Sequence, residues 1–195
     1  MHFHAVAFVG WLVLFTVQVL LIRTARADFH RKLGMVGVIL AVVMIFLGPA
    51  TALIVDARTY EMSGTTPEFL AIQFTDIMAF ATLTGAGLLL RRNSAAHKRL
   101  LLLGLMYISD AGFARLLNPI IAAHFGQSFL DGMAQLYLGS DFLMLGLGIH
   151  DFATRRKLYP AYVAGFIWAL VLQLTAYTLL SVPGWKIVAM HLIGH

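Results

Sequence analysis

Six apolar runs, each long enough to be a membrane-spanning helix, dominate this sequence. A helix needs about 20 apolar residues to cross about 30 Å of hydrocarbon. The runs lie at 5–22, 33–55, 69–90, 100–122, 134–152 and 160–182. None of them alternates with the two-residue period of a strand. The sequence therefore predicts an all-α membrane protein, with residues 1–195 forming a single domain of six transmembrane helices.

The composition supports this class and excludes others. Of the 195 residues, 60% are hydrophobic and 12% are charged, and the mean hydropathy is +0.84. A soluble domain of this size cannot bury so much apolar surface. The absence of cysteine excludes disulfides, thiolate metal sites and cysteine nucleophiles. Neither Gly-x-Ser-x-Gly nor His-Glu-x-x-His occurs, so hydrolytic chemistry finds little support and the question of enzymatic activity stays open.

The basic residues predict an orientation in the membrane. Eleven of the fourteen follow the first, third and fifth runs, within 23–32, 91–99 and 155–157. By the positive-inside rule these loops are cytoplasmic, and both termini then lie on the non-cytoplasmic side. The pI near 9.8 is thus a topology signal, and the lipid bilayer rather than nucleic acid is the expected partner. The tail 183–195 is too short to cross, so we expect it at the interface, with Trp185 among the headgroups.

Two pairs of spans look like copies of one hairpin. The segments 29–33 and 96–100 each place a histidine and two basic residues before an outward-running helix. These two segments are 67 residues apart, and Thr75-Asp76 and Ser140-Asp141, in the spans that follow them, are 65 residues apart. We interpret spans two and three, and spans four and five, as tandem hairpins with flanking helices. Chance recurrence of such short motifs is the alternative.

Ionisable residues inside the spans are the most informative feature of the sequence. Each Asp or Arg near a helix centre costs about 2.5–3.5 kcal/mol, while a Leu or Ile returns only about 0.3–0.6 kcal/mol. We expect these residues to face the bundle interior in its outer half. The predicted intramembrane polar network comprises Gln73, Asp76, Asp110, Arg115, Asn118, Tyr137 and Asp141.

The charges in this network do not balance. Asp110 and Arg115 are five residues apart and poorly placed to pair, so we expect Arg115 to meet Asp76 or Asp141 on a neighbouring helix. One arginine for three carboxylates leaves a deficit that a proton or a cation must fill. The alternative is a buried ion-pair network that only fixes helix packing.

The histidines divide between the two sides of the membrane. Near the outer ends, histidine and carboxylate ligands suit a divalent metal such as Zn, Cu or Fe. The candidate outer ligands are His4, His124, His191 and His195. At the inner ends lie His30, His97 and His150. These contact headgroups or hold one b-type haem, with Arg31 or Arg99 on a propionate.

Short motifs resemble a known group of proteins. His30-Arg31-Lys32-Leu33-Gly34, the segment 75–80 and His97-Lys98-Arg99-Leu100, followed by Arg115, resemble uncharacterised bacterial multi-pass membrane proteins whose helices start with repeated His-Arg and Leu-Gly. This resemblance covers residues 28–116 and implies a bacterial plasma membrane, with no established activity. The chain is also distantly similar to cytochrome b561-type six-helix bundles, but no helix carries two histidines 13–14 residues apart.

Three functions fit these observations. The first is an integral membrane protein that binds a metal or a single haem and has an ionisable pocket in the outer half of the bilayer. The second is a structural or assembly subunit of a larger membrane complex, or a homo-oligomer, for which Gly85, Gly87, Gly146 and Gly148 supply close helix contacts. The third is a proton-coupled transporter of small solutes or a membrane sensor.

Overall fold

The chain folds entirely into helices over the residues that are described. The computed structural model describes residues 2–124 and 128–195, except for the side chains of residues 2, 3, 118 and 121–124. Within these ranges there are eight helices and no strand. They are α1 His2–Arg23, α2 Ala27–Ser63, α3 Leu70–Leu89, α4 Ser94–Ile108, α5 Asp110–His124, α6 Phe129–Arg155, α7 Pro160–Leu180 and α8 Pro183–Leu192.

Several of these helices can cross a membrane. In the described part of the chain, α1, α2, α3 and α7 are long and apolar enough, and α4 with α5 makes a fifth candidate if the bent pair is one span. The prediction of an all-helical membrane protein is confirmed at this level. Helix α6 occupies the fifth predicted span but does not meet the same criterion, because polar and acidic residues interrupt it. Six crossings and their orientation stay predictions.

Two predicted boundaries differ from the structure for local reasons. Helix α2 extends beyond the predicted span 33–55 at both ends and continues through Pro49. It is capped by Gly64, which has a φ of 69° and donates its N–H to the Tyr60 carbonyl at 2.8 Å. This left-handed conformation suits glycine and closes the last turn. Most of the predicted outer connection 56–68 is therefore helical.

The fourth predicted span is broken. Helices α4 and α5 meet at Ser109 at an angle of 40°. The Ser109 hydroxyl donates to the Met106 carbonyl at 2.6 Å, and the Asp110 carboxylate accepts the Ala111 N–H at 2.5 Å. Both side chains satisfy backbone groups that a continuous helix would pair within itself. The bend places Asp110 at the first residue of α5.

Helix α3 occupies the centre of the bundle. One apolar cluster joins α3, α4, α6 and α7 around Leu83, Leu103 and Met144. A second joins α1, α2 and α3 around Trp11 and Phe80, whose rings meet edge to face with centroids 5.1 Å apart. Helix α2 packs against α3, and α5 against α6. The helices of both predicted hairpins are thus in contact, while their relation as a repeat stays a prediction.

The C-terminal tail forms α8 and folds back on the loop before α3. The Trp185 indole N–H donates to the Glu68 carbonyl at 2.9 Å, and Lys186 Nζ lies 3.4 Å from Glu68 Oε1. A hydrogen bond from the Thr66 hydroxyl, at 2.7 Å, lowers the pKa of Glu68 below its usual value, and Lys186 acts in the same direction. Trp185 therefore has a partner in the protein that the sequence did not reveal.

Candidate functional site: a buried cluster of carboxyl and tyrosine side chains

Three aspartates from three helices meet in one region of the bundle. Asp76 comes from α3, Asp110 begins α5 and Asp141 lies in α6. The carboxyl groups of Asp76 and Asp110 are within hydrogen-bonding reach of each other, and Asp141 interacts electrostatically with Asp110. We call these three aspartates, with Tyr107, Tyr137 and Gln173, the carboxyl cluster. The sequence prediction that the intramembrane aspartates converge on a shared interior region agrees with this arrangement.

Two tyrosines complete the centre of the carboxyl cluster. Tyr107 of α4 is 0% exposed and Tyr137 of α6 is 1% exposed, and their ring centroids are 6.2 Å apart. Both interact electrostatically with all three aspartates. Neither hydroxyl makes a regular hydrogen bond to any described residue. Leaving such a group buried and unpaired costs about 1–3 kcal/mol, so both hydroxyls are available to a proton, a water or a ligand.

Gln173 of α7 binds the third aspartate. Its Nε2 donates to Asp141 Oδ1 at 2.8 Å, and its side chain is fully buried. The amide oxygen, Oε1, has no partner among the described residues. Sequence reasoning missed Gln173 because α7 otherwise appears uniformly apolar. A single amide within a 21-residue apolar helix was the signal that could have identified it.

Arg115 does not make the predicted ion pair with Asp76 or Asp141. Its side chain is exposed, and its guanidinium donates to the Ala111 carbonyl, one turn earlier in α5, at 2.9 Å. No carboxylate in the described residues lies within ion-pair distance of it. Arg115 interacts electrostatically with Asp110, five residues earlier in α5, but the two side chains do not form an ion pair.

The two remaining members of the predicted network are Gln73 and Asn118. Gln73 lies in α3 almost one turn before Asp76, is half-buried, and has an unpartnered Oε1. The side chain of Asn118 lies outside the described residues. The carboxyl cluster therefore combines several oxygen acceptors with no paired basic side chain in the described structure. Its chemistry favours a proton or a cation.

A second polar site, which sequence reasoning missed, lies near the opposite ends of these helices. Arg99 at the start of α4 and Asp151 near the end of α6 are 1% and 3% exposed. The guanidinium binds the carboxylate through two nitrogens, Nε to Oδ2 and Nη2 to Oδ1 at 2.6 Å. Its third nitrogen donates to the Ala95 carbonyl at 2.8 Å. The Tyr159 ring covers it, with the guanidinium carbon 3.7 Å from the ring centroid.

This ion pair corrects the role predicted for Arg99. The sequence suggested Arg99 as a partner for a haem propionate, but all three guanidinium nitrogens already have protein partners. The pair joins the ends of α4 and α6 and the start of α7. Sequence reasoning used Arg99 as a topology signal and as a candidate propionate partner, and it overlooked Asp151. An aspartate within the basic inner end of a helix was the available signal.

The inner histidines do not form a common site. His97 places Nδ1 2.7 Å from the Gly87 carbonyl at the end of α3, which agrees with a local helix-end role. His30 is half-buried with an unpartnered Nδ1, and His150 is exposed. Arg31 pairs with Asp28 on the surface. No contact between these histidines supports a haem, and haem binding stays an untested prediction.

The outer histidines are also dispersed. His4 packs on Phe8 with ring centroids 4.3 Å apart, and His195 lies 4.8 Å from the Tyr60 ring. His191 is exposed, and the side chain of His124 lies outside the described residues. Among the residues that are described, no group of three or more histidine, aspartate or glutamate side chains is arranged to hold a metal ion. The predicted outer metal site therefore has no structural support.

Comparison of the chain with protein-family models, with curated proteins and with solved structures finds no match. Any functional assignment must therefore be argued from the carboxyl cluster, the Arg99–Asp151 pair and the helices that carry them.

Proposed function

We propose that this chain is an integral membrane protein that binds and releases protons at the carboxyl cluster and couples this exchange to the movement of a small solute. The observation that carries the proposal is the close approach of the Asp76 and Asp110 carboxyl groups. Two carboxylates in contact repel each other strongly in a region of low dielectric constant. A proton shared between them removes the repulsion and supplies a hydrogen bond to the pair, in which the buried Asp76 Oδ1 has no partner among the described residues.

The broken span supports coupling rather than a purely structural role. Discontinuous transmembrane helices commonly form ion and substrate sites, because each break frees backbone groups and allows its two halves to move separately. Here Asp110 lies directly after the break at Ser109. A change in the protonation of Asp110 therefore acts at the joint between α4 and α5. Helices α3, α4, α6 and α7 supply the remaining members of the carboxyl cluster.

We place the protein in a bacterial plasma membrane with six crossings and both termini on the non-cytoplasmic side. This topology counts α4 with α5 as one bent crossing and α6 as another. The positive-inside distribution of the basic residues supports it, and the pairing of Asp141 with Gln173 shields one polar group of α6 from lipid. The carboxyl cluster then lies in the outer half of the bilayer and the Arg99–Asp151 pair near its inner surface.

Infrared difference spectroscopy of the protein in lipid tests the proton site. At neutral pH the wild type should show the carbonyl stretch of a protonated carboxyl group. Asp76→Asn and Asp110→Asn should each weaken or shift that band, and the double variant should remove the part that belongs to the pair. Asp28→Asn is the matched control, because Asp28 is exposed on the surface. The proposed proton site would be contradicted if the wild type lacks the carbonyl band of a protonated carboxyl group. It would also be contradicted if none of these substitutions changes that band.

Sealed liposomes with an entrapped pH dye test the coupling. A panel of amines, carboxylates, sugars and amino acids is added in turn under an imposed membrane potential. We expect one class to drive proton movement with the wild type and with Asp28→Asn, and not with Asp76→Asn or Asp141→Asn. Equal proton movement in wild type and Asn variants for every class would refute coupling at this site.

A further inference from the structure

Tyr107 and Tyr137 lie at the centre of the carboxyl cluster, next to the aspartates that bind the proton. Their hydroxyls are buried, lack a regular hydrogen bond to any described residue, and interact with Asp76, Asp110 and Asp141. The two tyrosine rings are neighbours, with centroids 6.2 Å apart. A buried hydroxyl without a fixed partner can both accept and donate a proton.

The two tyrosines occupy corresponding places on their helices. Tyr107 precedes Asp110 by three residues, across the bend at Ser109, and Tyr137 precedes Asp141 by four. Residues four apart in a helix lie on one face, so Tyr137 lies beside Asp141 on α6. Tyr107 and Asp110 lie on the two sides of the bend and interact electrostatically, and the two tyrosine rings are neighbours where α4 packs against α6.

We propose that Tyr107 and Tyr137 form a hydroxyl relay that carries protons between the Asp76–Asp110 pair and Asp141. The inference rests on the proposed function, since it assigns the path between the two ends of the same site. In one transfer, the protonated carboxyl of the pair gives its proton to one tyrosine oxygen. That tyrosine passes its own proton to the second tyrosine, which protonates the Asp141 carboxylate. Both tyrosines end neutral, and one proton has moved.

Gln173 determines which oxygen of Asp141 receives the proton. Its Nε2 occupies Oδ1, so Oδ2 is the oxygen left for the incoming proton. Met144 packs in the same apolar cluster as Tyr107 and is fully buried. Among the described residues, both tyrosine hydroxyls interact with the aspartates at the two ends of this path.

The relay is tested by the rate at which carboxyl bands follow a sudden change of buffer pH. The bands of Asp141 and of the Asp76–Asp110 pair are identified by their loss in the corresponding Asn variants. In the wild type we expect both bands to change with a single rate. In Tyr107→Phe and in Tyr137→Phe, one band should lag by about 100-fold or more, because the positioned proton carrier is gone.

Tyr162→Phe is the matched control. Tyr162 is also buried, but its hydroxyl donates to the Met144 carbonyl at 3.0 Å, so its loss should leave both rates unchanged. Because two single variants are measured, a folding defect in one of them does not prevent the test. In the wild type, the carboxyl bands should also change more slowly in D2O than in H2O if proton transfer sets their rate. If the carboxyl bands are present at equilibrium, and both change as fast in the two Phe variants as in the wild type, the relay is overturned but the proposed function is not. Absence of the equilibrium bands in the wild type would overturn the proposed function and the relay with it.

Discussion

Arg99 and Asp151 show how much a single buried charge can matter. Each group is shielded from solvent, and each satisfies the other through a two-pronged contact. Whether such a pair stabilises a fold relative to apolar residues varies between proteins, but removing one partner strands the other charge. Because α4, α6 and the start of α7 meet at this point, the stranded charge affects the ends of all three helices.

We expect Asp151→Asn to destabilise the protein by about 3–5 kcal/mol, because it leaves the Arg99 guanidinium buried without its counter-charge. The unfolding midpoint of the purified protein in detergent measures the effect. Asp28→Asn removes a carboxylate from an exposed pair with Arg31 and should leave the midpoint almost unchanged. Similar midpoints for the two variants would contradict a structural role for the buried pair.

At the residue scale, sequence reasoning succeeded where the cost of burial is large. Asp76, Asp110 and Asp141 stood out because a carboxylate in an apolar run is costly without a partner. Gln173 and Tyr107 escaped notice because amides and phenols inside a membrane are less costly and carry no charge. The ion pair predicted for Arg115 with Asp76 or Asp141 is not formed, because its guanidinium turns to the Ala111 carbonyl on the exposed side of α5.

Glycines decide how closely neighbouring helices approach. Gly148 of α6 is buried, and a Cβ there would collide with the hydroxyl of Tyr162 on α7 and come within 2.7 Å of its Cζ. Gly146, two residues earlier, has nothing within 4 Å of the same position. Both were predicted to be small-residue contacts from sequence. The structure assigns that role to Gly148 and not to Gly146.

This difference gives a matched pair of variants. Gly148→Ala should destabilise the protein by about 1–3 kcal/mol, because Tyr162 must shift from a tightly packed position. Gly146→Ala should be neutral or stabilising by up to about 1 kcal/mol, because alanine is the better helix former. Unfolding midpoints in one detergent compare the two. A stability loss in Gly146→Ala equal to that in Gly148→Ala would contradict the packing described for α6 and α7.

At the level of single helices, sequence reasoning did not predict the break at Ser109 in the fourth span. Hydropathy stays high across 100–122, and no proline or glycine lies at the joint itself. At the break, the Ser109 hydroxyl donates a hydrogen bond to a backbone carbonyl and the Asp110 carboxylate accepts one from a backbone N–H. Serine and aspartate make such bonds in many contexts, including regular helices, so their presence alone does not locate a bend.

The two sides of the helix bundle differ in polarity: the carboxyl cluster lies on one side of the molecule, and the largely apolar helices α1 and α2 lie on the other. Helix α3 contributes to the apolar clusters on both sides of it, and the carboxyl cluster lies where α3 meets α4, α5, α6 and α7. Helices α1 and α2 carry many exposed apolar side chains, such as Val6, Val13 and Phe46. We expect these outer surfaces to face lipid, which solvates apolar groups without a partner helix.

The absence of cysteine makes the topology directly testable. Single variants Ser63→Cys, Ser94→Cys and Ser181→Cys place one exposed thiol at the end of α2, the start of α4 and the end of α7. In intact cells, a membrane-impermeant maleimide should label the first and third, and label Ser94→Cys only after permeabilisation. Labelling of Ser94→Cys in intact cells would contradict the orientation. A protected Ser181→Cys would contradict six crossings.

The sequence by itself determined the class of protein and the position of nearly every helix, because the length and apolarity of a membrane-spanning run are local properties of the chain. It also identified the aspartates that need a partner. Only the tertiary structure decided which side chains meet. The bend at Ser109, the inward-facing tyrosines, the Gln173 contact with Asp141 and the Arg99–Asp151 pair all depend on helix rotation and approach. Those quantities arise from packing between distant segments, and no single apolar run contains them.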